Sequence, residues 1–188
     1  MEIKESVIVT IGSGIPHVAA IGVIMEPRQP WLVRPYPNTQ TLANLRATPA
    51  AWLNFVDEAW PIVAAALGQG RVLGLTQDPL GGWRLTDAIR CIRVTVTDIQ
   101  SAGCGPPAVM LQRHEERGVE TFFGINRAFG ALIEACVAAT RVRWIGFDSV
   151  TQWLERADIL VDKTGSASDR RALALIRDYV AQFPGGDG

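Results

Sequence analysis

Through roughly the first two-thirds of the chain, apolar positions come in short β-branched bursts or alternate with polar ones, and beyond that they recur every third or fourth residue. Residues 6–11 and 18–25 form two such bursts and predict strands joined across Gly12-Ser13-Gly14-Ile15-Pro16-His17. Residues 31–36, bounded by Pro30 and Pro35, and residues 52–56 predict two more. Between them, residues 37–49 predict one or two helical turns, with Thr41 as N-cap, Asn44 three residues on, and a stop before Pro49. Residues 58–67 predict an apolar helix closed by Gly68.

Residues 88–99 alternate most clearly, with Ile92, Val94 and Val96 on one face and Arg93, Thr95 and Thr97 on the other. A loop over 101–107 and a return strand over 108–116 follow, with Glu115, Glu116 and Arg117 as a solvated turn. The last third is helical. Phe129, Leu132, Ile133, Cys136 and Val137 form one stripe, Val150, Trp153, Leu154, Ala157 and Val161 a second. Ala172, Leu173, Ile176, Tyr179, Val180 and Phe183 form a third, after Ser166 or Ser168 as cap, and the terminal Gly-Gly-Asp-Gly is expected to fray. Short strands followed by helices predict an α+β protein, an antiparallel β-barrel over residues 1–124 with a helical part over 125–188.

Composition narrows the function classes. The chain has 188 residues, 48% of them hydrophobic, and 18 basic against 19 acidic side chains. That balance lacks the basic footprint of a nucleic-acid binder, and no apolar run is long enough to predict a membrane span. Three widely spaced cysteines and no acceptable leader point to a reducing, cytoplasmic setting. With His17 and His114 as the only histidines, a histidine-rich metal site is impossible. A Cys104 nucleophile would need one of them beside it, which nothing in the spacing supports. Gly12-Ser13-Gly14 reads as a hairpin turn or, less simply, as a phosphate nest.

Residues 37–45 carry more chemistry. Asn38, Thr39, Gln40, Thr41 and Asn44 place five hydrogen-bonding side chains where a loop enters a helix, with Arg34 just ahead. Amide N–H groups at a helix start favour an anion; the plainer alternative is an ordinary capped turn. The six tryptophans read as core or interface, Cys136 as a core thiol and His114 as surface.

Four strings, ESVIVTIG, PHVAAIGV, LVRPYPNTQTLANLRATPAAWLNFVDE and GINRAFGALIEACVAATR, span most of residues 5–141. In their order and spacing the chain resembles the FMN-binding split β-barrel superfamily, the flavin-reductase-like fold. Within it the chain is most similar to the branch catalogued as domain of unknown function 447, found largely in archaea and C1-metabolising bacteria.

This resemblance implies a homodimer with FMN across the interface. His17, Val18, Ala19 and Ala20 would line the isoalloxazine ring, and Arg34, Thr39, Gln40, Thr41 and Asn44 would hold the phosphate. Asn54 would run beside the ring or ribityl chain, and Asn126 and Arg127 would reach the cofactor or the second protomer. A flavin carries the redox chemistry itself, so no side-chain acid or base need be legible. The resemblance implies an oxidoreductase passing electrons to a small molecule, a one-carbon or pterin intermediate being in keeping with the family's distribution. The alternative is a split barrel that binds FMN or another ligand without turnover.

Overall fold

The computed structural model describes residues 2–103, 105–118 and 126–183. Cys104, Gly124, Ile125 and the terminal Gly-Gly-Asp-Gly lie outside them. The chain divides into two compact units, Met1–Val56 with Arg71–Phe122, and Asp57–Gly70 with Phe123–Gly188.

The first unit is built on a hairpin. β1 (Glu2–Gly12) pairs antiparallel with β2 (Ile15–Met25) in a register that sets Ile8 opposite Ala19. Ser13 and Gly14 take φ of 50° and 79°, so the Gly12-Ser13-Gly14 tract is the two-residue turn that right-twisted strands prefer. β3 (Trp31–Val33) is shorter than its sequence suggests: Pro35 has no N–H to offer a ladder, and Arg34 and Tyr36 fall outside the strand. α1 (Gln40–Ala47) and β4 (Ala50–Phe55) follow.

After the second unit's first helix come β5 (Leu75–Gln77) and β6 (Trp83–Leu85), a small hairpin turned at Gly81 and Gly82, whose φ values are 92° and 85°. β7 (Arg90–Ala102) and β8 (Gly105–Arg117) close the unit. The loop expected over 101–107 is mostly strand: Pro106 and Pro107 are tolerated at the start of β8, where the register shifts by a bulge between Gln100 and Ala102.

Six of the strands form a closed barrel in the order β1-β2-β3-β8-β7-β4. Strand alternation puts Ile8, Ala19, Ile21, Val23 and Met25 inside, packed with Val33, Leu53, Val94, Val109 and Leu111. Leu42 and Leu45 of α1 join the same cluster, so this short helix plugs one end of the barrel. Val7, Val9 and their partners Val18 and Ala20 lie on the outer face.

The β5–β6 hairpin is bolted to that barrel by polar contacts. Trp52 Nε1 donates to Gly81 O at 3.0 Å, and Leu85 N donates to Asn54 Oδ1 at 2.9 Å. Asp78, buried in the hairpin turn, pairs with Arg84 at 3.4 Å and with Arg117 of β8 at 3.5 Å. Arg117 is therefore an anchor at the end of a strand, and not part of a solvated turn.

The second unit is helical: α2 (Ala59–Ala66), α3 (Arg127–Thr140), α4 (Val142–Ile145), α5 (Phe147–Thr164) and α6 (Ala167–Val180). Gly68, at φ 75°, ends α2 with Gly68 N on Ala65 O and Gln69 N on Ala64 O, a paired closure that uses two orphan carbonyls. Alanines of α2, α3, α5 and α6 let the helices approach around Val63, Leu132, Val150, Val161, Leu173 and Ile176. Val137, assigned to the stripe by spacing, is 37% exposed, and Trp144 is 82% exposed rather than core.

Candidate functional site

The polar run 37–45 folds differently in detail from its sequence reading, and the difference rearranges the site. Thr39, not Thr41, is the N-cap of α1. Its Oγ1 accepts from Leu42 N at 3.4 Å and donates to Tyr36 O at 2.8 Å. Asn38 ahead of it takes φ 63°, a conformation asparagine tolerates better than most residues. Moving the cap back by two residues turns Thr41 and Asn44 inward with Leu42 and Leu45, and all four are buried.

The inward-turned pair is held by neutral hydrogen bonds. Thr41 Oγ1 lies 3.2 Å from His17 Nε2 on β2. Asn44 Nδ2 donates to Thr10 Oγ1 on β1 at 3.0 Å, and Asn44 Oδ1 accepts from Gln40 Nε2 at 2.6 Å. Gly12 is part of the same construction: a Cβ there would overlap the Asn44 carboxamide oxygen. Thr10 and Gly12 escape a sequence reading, because one sits inside a β-branched run and the other reads simply as a turn residue.

The helix start can take a charge. Gln40 N and Thr41 N open α1 with no intrahelical acceptor, as the first amides of any helix do, and they face the positive end of the helix dipole. Thr39 Oγ1 stands beside them. His17 is half-buried, and burial pushes its pKa below the usual 6.5, which favours the neutral imidazole. On the other face of the same strand, Val18 and Ala20 are part-exposed.

The other sequence candidates sort clearly. Ala19 points into the barrel core, so only its backbone remains for a ligand on the outer face. Asn44 is a clamp between α1 and β1, its carboxamide already spent. Arg34 is exposed and its guanidinium reaches Pro106 O at 3.5 Å, with no described contact to α1.

Asn54 is sealed in the barrel wall: Nδ2 donates to Val7 O at 2.9 Å and Trp52 O at 3.1 Å, and Oδ1 accepts from Leu85 N. It holds strands together and presents nothing to a cofactor. Asn126 belongs to the helical unit, where it caps α3 by accepting from Ala128 N at 2.9 Å and donates to Asp169 Oδ2 at 3.0 Å. Its carboxamide is thus committed, while Arg127 is exposed on the first turn.

Among the described residues no group of three or more histidine, cysteine or acidic side chains is placed to hold a metal, and no helix is long and apolar enough to cross a membrane. Burial pushes the Cys136 thiol up to about 12 and raises that of Cys91, which suits core packing and not nucleophilic attack. His114 is exposed on β8, 2.6 Å from Thr95 Oγ1.

Several solved structures share this fold, among them proteins described as FMN-bound or as flavin reductases. An FMN-bound protein from Methanosarcina mazei superposes with TM-score 0.80 at 20% identity, over 94% of each chain. A nitrilotriacetate monooxygenase component B homologue from Mycobacterium thermoresistibile gives 0.55 at 19% identity, over 64% of this chain and 71% of that one. Flavoredoxin from Methanosarcina acetivorans gives 0.56 at 10% identity, over 65% and 72%. The architecture is accordingly the flavin-reductase-like split barrel with added helices. No curated protein matches the sequence. The model of the N-terminal domain of the protein of unknown function DUF447 matches residues 4–119, and that of its C-terminal part matches residues 126–178. The chain belongs to the DUF447 family.

Proposed function

We propose that the protein binds FMN at the α1 corner of the barrel and exchanges electrons with a small molecule through it. The observation that carries this reading is the start of α1, whose first amides have no acceptor within the helix, set against β2, whose small residues Val18 and Ala20 are part-exposed on the strand's other face. A flavin mononucleotide needs both: fixed donors for a phosphate dianion, and a flat apolar bed for a large ring. The FMN described for the Methanosarcina mazei protein of the same fold and family supports it.

The residues present fit the group. Gln40 N and Thr41 N would take the phosphate, Thr39 would hold the turn through its bond to Tyr36 O, and Val18 and Ala20 would bed the ring. Thr10, Gly12 and Asn44 would keep α1 seated, and Arg34 would add attraction from solvent. Bound FMN supplies hydride or single-electron transfer; the protein's part is to orient it and set its surroundings. Ile15 and Tyr36, 69% and 65% exposed, flank this corner with large apolar side chains, which supports a homodimer that closes over it.

Titration of the purified chain with FMN, read by quenching of flavin fluorescence, tests the reading, with anaerobic reduction by NADH and NADPH after it. Binding followed by bleaching is expected. Flavin that binds but resists both donors leaves a ligand-binding barrel without this turnover, and a chain indifferent to FMN removes the proposal altogether.

A further inference from the structure

His17 was grouped with the ring-lining segment by resemblance, yet its Nε2 lies 3.2 Å from Thr41 Oγ1, the second residue of α1. That contact turns the imidazole toward the helix start. We infer that His17 is the residue by which the site senses the phosphate of its flavin, and that it takes up a proton when that phosphate arrives. The inference rests on the FMN reading above.

The surroundings are favourable because they are neutral. Across the β1–β2 ladder His17 faces Thr10, and α1 brings Thr41, Asn44 and Gln40 to the same corner, none of them charged. On the packed elements, Lys4 and Glu5 of β1 pair with Val23 and Gly22, about 17 Å along the strand from His17. Arg46 sits in the last turn of α1, and Arg34, just after β3, reaches Pro106. No carboxylate among these is poised to hold a charged imidazole. Burial therefore favours the neutral ring, and the positive end of α1 adds to that preference.

A phosphate on the α1 amides reverses the balance by putting an anion beside the ring. An opposite charge at such range raises a histidine pKa by about one pH unit or more. By linkage, whatever raises the His17 pKa must bind more tightly as pH falls through it. The phosphate monoester takes up a proton of its own near pH 6, which weakens binding over the same range. The two contributions have opposite signs and are separated by removing the histidine.

With only two histidines in the chain, the imidazole C2–H resonances can be followed directly, and His114→Gln assigns them. The full chain is titrated from pH 5 to pH 8 alone, with FMN, and with riboflavin, which lacks the phosphate. The expected result is a His17 pKa raised by about one pH unit with FMN and unmoved by riboflavin. In parallel, FMN affinity should gain about tenfold more between pH 8 and pH 5 in the natural chain than in His17→Asn. His17→Gln repeats the comparison, and circular dichroism checks the fold of each variant. FMN that binds without moving the His17 titration, or riboflavin that moves it equally, overturns the inference while the FMN reading stands. A chain that binds neither flavin overturns both.

Discussion

The two buried asparagines of the barrel unit occupy different kinds of place. Asn54 is fully buried, and each of its three side-chain bonds goes to backbone, on β1, β4 and β6. Asn44 is 2% exposed, and both of its bonds go to side chains, Thr10 and Gln40. A carboxamide that satisfies only backbone is a rivet, which can be removed only by unpairing strands. One that satisfies neighbouring side chains belongs to a network whose members can exchange partners. The latter sits at the barrel end where α1, Gly12 and His17 meet, the corner proposed above for the flavin phosphate.

The comparison is broken most severely at Asn54. Replacing it by alanine removes the side-chain partner of Leu85 N, Val7 O and Trp52 O in the interior, which should cost about 3–4 kcal/mol. Urea unfolding measures the loss. FMN affinity of the protein that remains folded should stay within about twofold if Asn54 is purely structural, since a change of that size is within ordinary surface-mutation scatter. A large loss of affinity at unchanged stability would reverse the roles assigned to the two residues.

Gly12→Ala tests the other side. The new methyl collides with the Asn44 carboxamide, so either β1 or α1 must give way, at about 2 kcal/mol by analogy with overpacked cores. Here stability and flavin affinity should fall together, because α1 carries both the plug and the free amides. A variant as stable as the parent, with unaltered FMN binding, would show that α1 reseats without consequence.

Much of this was legible in the sequence, for reasons that lie in particular residues. Alternation at Ile92, Val94 and Val96 marks β7 because a half-buried strand admits little else, and the stripes around Leu132, Val150 and Ile176 mark helices for the corresponding reason. The start of α1 was legible too, since Asn38, Thr39 and Thr41 announce a capped helix start. Their orientation was not. Thr39 and Thr41 are equally good caps in isolation, and only the packing of Leu42 and Leu45 into the barrel selects Thr39.

The β5–β6 hairpin stayed hidden because its strands are three residues each and its stability comes from Asn54, Trp52 and Asp78, all distant in sequence or unremarkable in type. Asn126 misled for a related reason. A conspicuous polar residue ahead of a helix reads equally as ligand-binding group or cap, and it is the bond to Asp169, 43 residues away, that decides.

Smaller effects sharpen the contrast between the two units. Ser166 and Asp169 form a reciprocal capping box at the start of α6, and Asp169 Oδ2 also accepts from Asn126. Ser166→Ala should cost about 1 kcal/mol of stability. The loss should appear in thermal unfolding and leave flavin affinity alone, because this box serves helix ends within the helical unit.

Arg34→Ala carries the smallest expected change and the most selective one. The side chain is exposed and its only described contact is the long one to Pro106 O, so its removal should leave stability within about 0.5 kcal/mol. Its contribution to a bound phosphate is a solvent-screened attraction, which amounts to about fourfold in FMN affinity, or about 0.8 kcal/mol. Such an attraction must fade as salt shortens the Debye length from about 10 Å at 0.1 M to about 3 Å at 1 M. The difference in FMN affinity between Arg34→Ala and the parent should therefore vanish at high salt, whereas losses at Gly12 should persist. An Arg34 effect that survives 1 M salt would mean a direct, desolvated contact with the phosphate, and would place the guanidinium inside the site instead of at its rim.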